Sequence, residues 1–143
     1  MQYPAKCQPD GESFLVTFPD LPEAITGGTS EAEARTNATE ALELTLLTYV
    51  KDQRALPQPS TPPEDGENCW EIPVSAGTTA KLAFIEAFRA STMTRVALAG
   101  KLGKAEGEVR RMLDPYHRTK LGTLEAGLLA LGKRLVVTIE EAA

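Results

Sequence analysis

The sequence has few of the residues that build metal sites and disulfide frameworks. Its 143 residues include two cysteines, Cys7 and Cys69, and a single histidine, His117. Because a structural zinc ion takes four ligands, mostly Cys and His, these residues are too few for a zinc site. Two cysteines in a chain without a secretory leader favour buried thiols over a disulfide framework, so we infer no bond between them. No metal ion or other cofactor is expected.

Long hydrophobic runs are also missing. A membrane-spanning helix needs about 20 consecutive apolar residues, and no segment of the chain approaches that length. Residues 1–10 contain no apolar segment of the kind that a secretory signal carries. We therefore expect a cytoplasmic protein that does not associate with a membrane.

Charge is distributed unevenly along the chain, whose net charge is −5. Residues 1–64 contain four basic and ten acidic residues, whereas residues 93–134 contain nine basic and four acidic residues. Such asymmetry predicts an acidic module joined to a module that binds polyanions.

A proline-rich segment at residues 56–66, LPQPSTPPEDG, marks the expected boundary between two modules. Pro and Ser without apolar periodicity favour an extended, semi-rigid spacer. We assign residues 1–55 to a front module, 56–66 to a linker and 77–143 to a second module. A strand over about residues 69–75 is expected to return to the front module's sheet.

The front module is predicted to contain a β-hairpin, a third strand and a long helix. Alternating apolar residues predict strands over residues 3–8 and 14–18, with turn-forming residues between them. Because Pro4 cannot donate to a ladder, the first strand is expected to start, or to lie, at a sheet edge. Ser30 and Glu33 have the spacing of a capping box, which predicts a helix from Ser30 to about residue 51.

The second module is predicted to be helical, with helices over residues 79–90, 95–102, 105–113 and 123–131. Thr94 is a candidate N-cap, and Gly103 supplies a sharp turn between the second and third of these helices. A short turn with Gly, and small residues where helices cross, are what a helix-turn-helix requires. The residues expected to face inward are Leu98, Ala99, Leu102, Val109, Met112 and Leu113.

In a helix-turn-helix the second helix enters the major groove, so its outward residues are the candidate DNA contacts. Arg111 is suited to donate to guanine, and Glu106 or Glu108 to accept from cytosine. The neighbouring cations, with Lys101 among them, are expected to contact phosphates. The alternative is a helical hairpin with a solvated basic face. The candidate DNA-binding residues are Arg95, Lys104, Ala105, Glu106, Gly107, Glu108, Arg110, Arg111, Arg118 and Lys120.

The chain's β-branched tail predicts one further strand. Such a strand has no local partner, and an unpaired apolar edge promotes aggregation. Pairing across a two-fold axis would cover it and give the dimer that paired half-sites need. The alternative is that the tail folds back on its own module. The candidate dimerisation residues are Leu135, Val136, Val137, Thr138 and Ile139.

Both modules carry motifs of a known family. The whole chain resembles the HicB antitoxins of bacterial HicA–HicB toxin–antitoxin systems, in the form that carries a helix-turn-helix. The most specific match is DLPEAITGGT at residues 20–29. The other matching segments are residues 1–4, 14–18, 31–32, 98–99, 102–104, 108–113, 117–120 and 130–133.

The resemblance implies an α+β protein with two functions. Its front domain would be a partial ribonuclease-H-like α/β domain that covers HicA, a small basic RNA-cleaving toxin. Its second domain would be an all-α, phage-repressor-like helix-turn-helix domain with a terminal β-strand. That domain would repress the operon's own promoter as a homodimer, and pairing of the front domains would give a tetramer.

The acidic front module agrees with a basic toxin as its partner. We expect toxin contacts at Asp20, Leu21, Pro22 and Glu23, partly by mimicry of RNA. The alternative is that these four residues only form a turn.

Two other functions stay open at this point. One is a transcriptional regulator whose front domain senses a small ligand, which would need a pocket with convergent polar groups. The other is a degenerate nuclease. A metal-dependent nuclease of the ribonuclease H type needs carboxylates converging on two ions, and no acidic residue lies within strands 3–8 and 14–18. Catalysis is therefore not expected.

Overall fold

The computed structural model describes residues 1–62, 66 and 68–142. These residues divide into two compact units, a sheet unit at Met1–Thr79 and a helical unit at Ala80–Ala143. The elements, in chain order, are β1 (Gln2–Asp10), β2 (Ser13–Phe18), β3 (Leu21–Gly28), α1 (Glu31–Lys51), β4 (Cys69–Pro73), α2 (Ala76–Ala90), α3 (Arg95–Leu102), α4 (Glu106–Leu113) and α5 (Leu121–Ala130).

The four strands form one antiparallel sheet in the order β3-β2-β1-β4. The predicted returning strand is observed as β4, which pairs with the first half of β1. The first strand does not lie at a sheet edge along its whole length, because β1 has two neighbours, but it starts at one, as the other alternative required. The β1–β2 pairs begin only at Lys6, so at Pro4 the ladder has a partner strand on one side only, where a missing N–H is tolerated.

Two local signals set the ends of the elements in the sheet unit. Gly11 has φ +63° and lies in the turn between β1 and β2, a conformation that glycine adopts at little cost. Ser30 caps α1 as predicted, since its hydroxyl accepts from the Glu33 N–H at 3.1 Å. Glu33 departs from the predicted capping box. Its carboxylate accepts from the hydroxyl of Thr29 at 3.1 Å and from the Thr29 N–H at 3.4 Å.

The core of the sheet unit lies between the sheet and α1. Small residues allow the helix to approach the sheet closely. A Cβ added at Gly28 would lie 2.6 Å from the backbone nitrogen of Ala34, so the contact between β3 and α1 requires glycine there. The fully buried residues include Tyr3, Ala5, Val16, Phe18, Leu21, Ala34, Ala38, Leu42, Leu46 and Ile72.

The described part of the proline-rich segment contacts the sheet unit. The Tyr3 hydroxyl donates to the carbonyl oxygen of Pro57 at 2.7 Å. The N–H and hydroxyl of Ser60 donate to the Asp20 carboxylate at 2.9 and 3.1 Å. These bonds hold the segment against the sheet unit, to which the chain returns in β4. The division between the two units falls later, within α2. Residues 63–65 of the predicted linker lie outside the described residues.

The helical unit buries one side of each of its helices around Leu82, Phe84, Leu98, Val109 and Leu124. The helix bounds agree with the prediction, although α2 and α5 begin two to three residues earlier. A Cβ added at Gly127 in α5 would lie 2.5 Å from Phe84 Cε1. Glycine is therefore needed where α5 packs against the Phe84 ring.

The terminal strand predicted over residues 135–139 is not formed in the single chain. A strand needs a neighbour, and the side chains of Val136, Val137 and Ile139 are 73%, 60% and 91% exposed. The tail therefore does not fold back on its own module as the alternative required, and pairing with a second copy stays a prediction. Within the described residues, no helix is both long enough and apolar enough to cross a membrane.

Candidate functional site

The helices α3 and α4 are joined by a sharp turn. The Thr94 hydroxyl accepts from the Ala97 N–H at 3.1 Å, which confirms the predicted N-cap of α3. Gly103 ends α3 in the left-handed conformation, with φ +66° and ψ +32°, as the turn prediction required. Leu98, Ala99, Val109 and Met112 are buried as predicted, whereas Leu102 and Leu113 are half-buried.

Ion pairs occupy the charged residues near the N-terminus of α4. The Glu106 carboxylate lies 3.4 Å from Arg95 Nε and 2.7 Å from Arg110 Nη2. The Glu108 carboxylate lies 3.7 Å from Lys104 Nζ. Both carboxylates that were predicted to accept from cytosine therefore already have cationic partners, which they hold at this end of the helix.

Three other cations, one on the last turn of α4 and two on the loop beyond it, form no such pairs. Among the described residues, Arg111, Arg118 and Lys120 have no ion-pair partner, and all three are exposed. Their charges add to a local positive potential, because no ion pair within the described residues neutralises them. They line a concavity of about 240 Å³, called here the α4 concavity, together with Lys104, Glu108, Met112, His117, Thr119 and Thr123.

Two further residues of the predicted DNA-binding set, and the neighbouring Lys101, differ in how accessible they are to a ligand. Ala105 is exposed and starts α4 without a side-chain cap. Gly107 has open space where a Cβ would lie, so a ligand can approach the backbone there. Lys101 donates to the carbonyl oxygen of Ala130 at 2.9 Å, at the end of α5.

The prediction from sequence missed Lys81, a buried lysine on α2 with 4% of its surface exposed. Its Nζ donates to the Met112 carbonyl oxygen at 2.8 Å, to the Thr119 hydroxyl at 2.6 Å and to the Arg111 carbonyl oxygen at 3.4 Å. Burial lowers the pKa of Lys81 from 10.5 to about 8, against the opposing effect of the Asp114 carboxylate. The sequence held one signal, because Lys81 lies four residues before Ile85 on the apolar face of α2. Lysine is usually expected to extend to solvent.

His117 lies in the loop after α4 and lines the α4 concavity. Its Nδ1 is 3.3 Å from the Thr119 hydroxyl oxygen. Thr119 thus joins the buried lysine to the exposed imidazole.

The four predicted toxin-contact residues lie at the start of the edge strand β3, and they differ in exposure and in hydrogen bonding. Leu21 is fully buried, so its side chain is unable to reach a partner. Asp20 is bonded to Ser60. Glu23 is exposed, and its carboxylate accepts from the Tyr49 hydroxyl at 2.7 Å and from Arg54 at 3.1 Å. The Tyr49 hydrogen bond is the main cause that lowers the pKa of Glu23. Pro22 is exposed without such ties.

A second concavity, of about 310 Å³, lies in the sheet unit. Glu31 is the one charged side chain in its described lining, and this carboxylate is paired with Arg35 at 3.2 Å. The Arg35 guanidinium also lies 4.1 Å above the half-buried Trp70 ring. Within the described residues, no group of three or more His, Cys, Asp or Glu side chains is arranged to hold a metal ion.

Comparison with known proteins gives consistent matches. The sequence profile of HicB-like antitoxins of bacterial toxin–antitoxin systems matches residues 2–83. Antitoxin HicB 2 of Photorhabdus laumondii is 37% identical over 135 residues, which cover 94% of this chain and 94% of that protein. Antitoxin HicB of Escherichia coli strain K12 is 35% identical over 136 residues, covering 94% and 96%. A chain of a solved HicA3 and HicB3 toxin–antitoxin complex is 22% identical, with a TM-score of 0.45, and the match covers 52% of this chain and 99% of that one.

Proposed function

The chain belongs to the HicB-like antitoxin family of bacterial toxin–antitoxin systems, and from this membership we propose that it neutralises a HicA-type toxin through the sheet unit and represses its own operon through the helical unit. Both activities would take place in the cytoplasm. The family profile covers the whole sheet unit, which supports the assignment of toxin binding to that unit.

For the helical unit, we propose that α3 and α4 form a helix-turn-helix that binds operator DNA. The observation that carries this proposal is the set of unpaired cations at Arg111, Arg118 and Lys120, in a chain whose net charge is −5. Unpaired exposed cations release counterions from DNA when they contact phosphates, and this release favours binding. Arg111 lies on α4 and is the candidate for a bidentate bond to guanine, whereas Arg118 and Lys120 lie on the following loop and suit phosphates.

The ion pairs at the start of α4 change the roles proposed for its other residues. Glu106 holds Arg95 and Arg110 together, so we assign it to positioning these two phosphate contacts. Glu108 has the same relation to Lys104. Gly107 and Ala105 carry too little side chain to block the approach of the helix to the groove.

For the sheet unit, we propose that the exposed start of β3 contributes to the toxin interface through Asp20, Pro22 and Glu23. Their charge suits a toxin whose own surface must bind RNA. The internal bonds of Asp20 and Glu23 fix the carboxylates in place before the toxin arrives, which reduces the entropy lost on binding.

We further propose that the exposed tail at residues 135–139 pairs with the same segment of a second copy. The three exposed side chains of Val136, Val137 and Ile139 support this, because an apolar extended segment is stabilised by a neighbouring strand. Two helical units joined in this way would present two α4 helices to paired half-sites.

The test uses separate variants of the full chain. Arg111→Ala, Arg118→Ala and Lys120→Ala together should abolish the shift of a promoter duplex from the operon, while co-purification with the operon's HicA-type toxin persists. Asp20→Lys with Glu23→Lys should weaken toxin binding while the duplex shift persists. If the unchanged chain neither shifts the duplex nor inhibits RNA cleavage by the toxin, the proposal fails.

A further inference from the structure

We propose that the α4 concavity is a phosphate-binding subsite, an inference that rests on the DNA-binding part of the proposed function. Lys81 is the residue that positions this subsite from within the helical unit. The ligand class is a phosphate ester. It could be supplied either by the DNA backbone or by a free phosphorylated molecule, and the experiment below separates these two sources.

The contacts of Lys81 connect the two sides of the α4 concavity. Its ammonium group donates to carbonyl oxygens in the last turn of α4 and to the Thr119 hydroxyl in the loop beyond it. Arg111 belongs to that last turn, and Arg118 and Lys120 flank Thr119. The lysine therefore fixes the spacing between the cation on the helix and the two cations on the loop.

Lys81 is unable to act as a phosphate ligand itself. It is 4% exposed, and three acceptors use the three protons of its ammonium group. The burial of a cation costs free energy, which these bonds offset in part. The C-terminal end of a helix also favours a positive charge, because the helix dipole is negative there.

The same contacts bear on the tautomer of the His117 ring. The Thr119 hydroxyl oxygen accepts from Lys81 and lies 3.3 Å from Nδ1 of His117. When the hydroxyl donates its own proton to Nδ1, the neutral imidazole carries its proton on Nε2. In that tautomer His117 adds a hydrogen-bond donor to a concavity lined by cations.

The charge balance of the concavity suits an anion. Lys104 and Glu108 in its lining neutralise each other at 3.7 Å, while Arg111, Arg118 and Lys120 have no such partner among the described residues. Arginine binds phosphate bidentately, and lysine adds a point charge. A phosphate group with one or two negative charges matches this set.

The first arm of the experiment uses the imidazole of His117, the single histidine of the chain, as an NMR probe in the full-length protein at pH 7.5. We expect the Nε2–H tautomer in the free protein. Inorganic phosphate should shift the ring nitrogens in a saturable way, and chloride at equal ionic strength should not. Lys81→Met should weaken the phosphate response at least tenfold and mix the tautomers. Lys6→Met is the control, because Lys6 is a lysine of the sheet unit that lies outside the concavity.

The second arm measures the affinity for a mixed-sequence 24-base-pair duplex at several salt concentrations. Each phosphate contact contributes about one unit to the slope of log affinity against log salt. We expect the slope to fall by about one to two units in Lys81→Met, although the lysine itself reaches no phosphate. Leu124→Ala, which removes a buried side chain from α5, controls for lost stability and should leave the slope unchanged.

A third variant keeps the test decisive if Lys81→Met does not fold. Thr119→Val retains the buried lysine and removes the hydroxyl that links it to His117, so it should lose the tautomer preference and part of the phosphate response. The inference is overturned if the tautomer, the phosphate response and the salt slope are unchanged in the folded variants.

The two sources of phosphate, and the two proposals, give different results. Shifts of His117 by both inorganic phosphate and the duplex identify the DNA backbone as the source. A response to phosphate without any duplex binding identifies a free phosphate ester, and the DNA-binding proposal then fails while this inference stands. Duplex binding with no phosphate response and an unchanged slope in Lys81→Met overturns this inference and leaves the DNA-binding proposal intact.

Discussion

In the sheet unit, acidic side chains are bonded to groups far along the chain, whereas in the helical unit several basic side chains have no ion-pair partner among the described residues. Asp20, Glu23 and Glu43 accept hydrogen bonds from Ser60, Tyr49 and Ser75 respectively. These contacts join segments that are 26 to 40 residues apart. Part of the negative charge of the sheet unit therefore stabilises the fold of that unit through these hydrogen bonds.

The helical unit has both paired and unpaired cations on and around one short helix. Glu106 and Glu108 pair with Arg95, Arg110 and Lys104, whereas Arg111, Arg118 and Lys120 have no ion-pair partner among the described residues. In both units, the pairing of each side chain therefore decides which charges are available to a partner.

The largest effect is expected from removing the unpaired cations. Arg111→Ala with Arg118→Ala and Lys120→Ala should weaken duplex binding by about 100- to 1,000-fold at moderate salt, because fewer cations at the phosphates release fewer counterions from the DNA. The free energy of unfolding should change by less than about 0.5 kcal/mol for each exposed site. Fluorescence anisotropy and urea denaturation measure the two quantities.

The control for this triple variant is Lys6→Ala in the sheet unit, which removes an exposed cation that forms no ion pair with the described residues. If Lys6→Ala weakens duplex binding as much as the triple variant does, net charge rather than the α4 concavity determines the affinity.

Two glycine substitutions, one in each unit, should change the free energy of unfolding in opposite directions. In Gly28→Ala the new Cβ would lie 2.6 Å from the Ala34 nitrogen, so we expect a loss of about 2–3 kcal/mol from overpacking. In Gly107→Ala the new Cβ meets open space within α4, so we expect a gain of about 1 kcal/mol from helix propensity. Thermal unfolding measures both changes. A Gly28→Ala variant as stable as the parent would mean that β3 and α1 separate without cost.

Apart from the terminal strand, the sequence was sufficient for the elements and for the helix pair, because their signals are local. Thr94 and Gly103 act through groups three or four residues away, and capping and glycine preferences describe such contacts. The apolar period gave the buried residues Leu98 and Val109 in the same way.

The remaining features depend on contacts between distant segments, for which the sequence carries no local pattern. Nothing near Lys81 indicates that the carbonyls of residues 111 and 112 lie beside it. Nothing near Asp20 indicates Ser60 as its partner. Nothing in the proline content of residues 56–66 indicates the bonds of Pro57 and Ser60 to the sheet unit, since proline content describes local stiffness and not what the segment touches.

The buried Lys81 should make the free energy of unfolding depend on pH in the alkaline range. Its pKa of about 8 in the folded chain is below the ordinary 10.5, so between these values the unfolded chain binds more protons and stability rises with pH. The cost of burying the charge is fully present below pH 8. Between pH 7.5 and 10, the free energy of unfolding of the parent should rise by about 2 kcal/mol relative to Lys81→Met. Urea denaturation of both proteins at each pH measures the difference, in which titration of the tyrosines cancels. A constant difference would show that the three acceptors hold the lysine charged throughout this range.

The smallest effect is expected from Glu23 in the sheet unit, and it has the opposite dependence on pH. Its pKa is lowered by the Tyr49 hydrogen bond, then by contacts that include Arg54. The carboxylate therefore contributes stability above its unfolded pKa, and this contribution is lost as pH falls through the lower folded value. Glu23→Gln should lower the melting temperature slightly at pH 7, and the two proteins should converge as pH falls below the folded pKa of Glu23, where both side chains are neutral. Thr48→Ala on the same helix is a control that leaves the Tyr49–Glu23 bond in place. A difference in melting temperature between the parent and Glu23→Gln that persists at low pH would mean that Tyr49 binds the protonated acid as well as the carboxylate. The network would then hold β3 to α1 by hydrogen-bond geometry and not by charge.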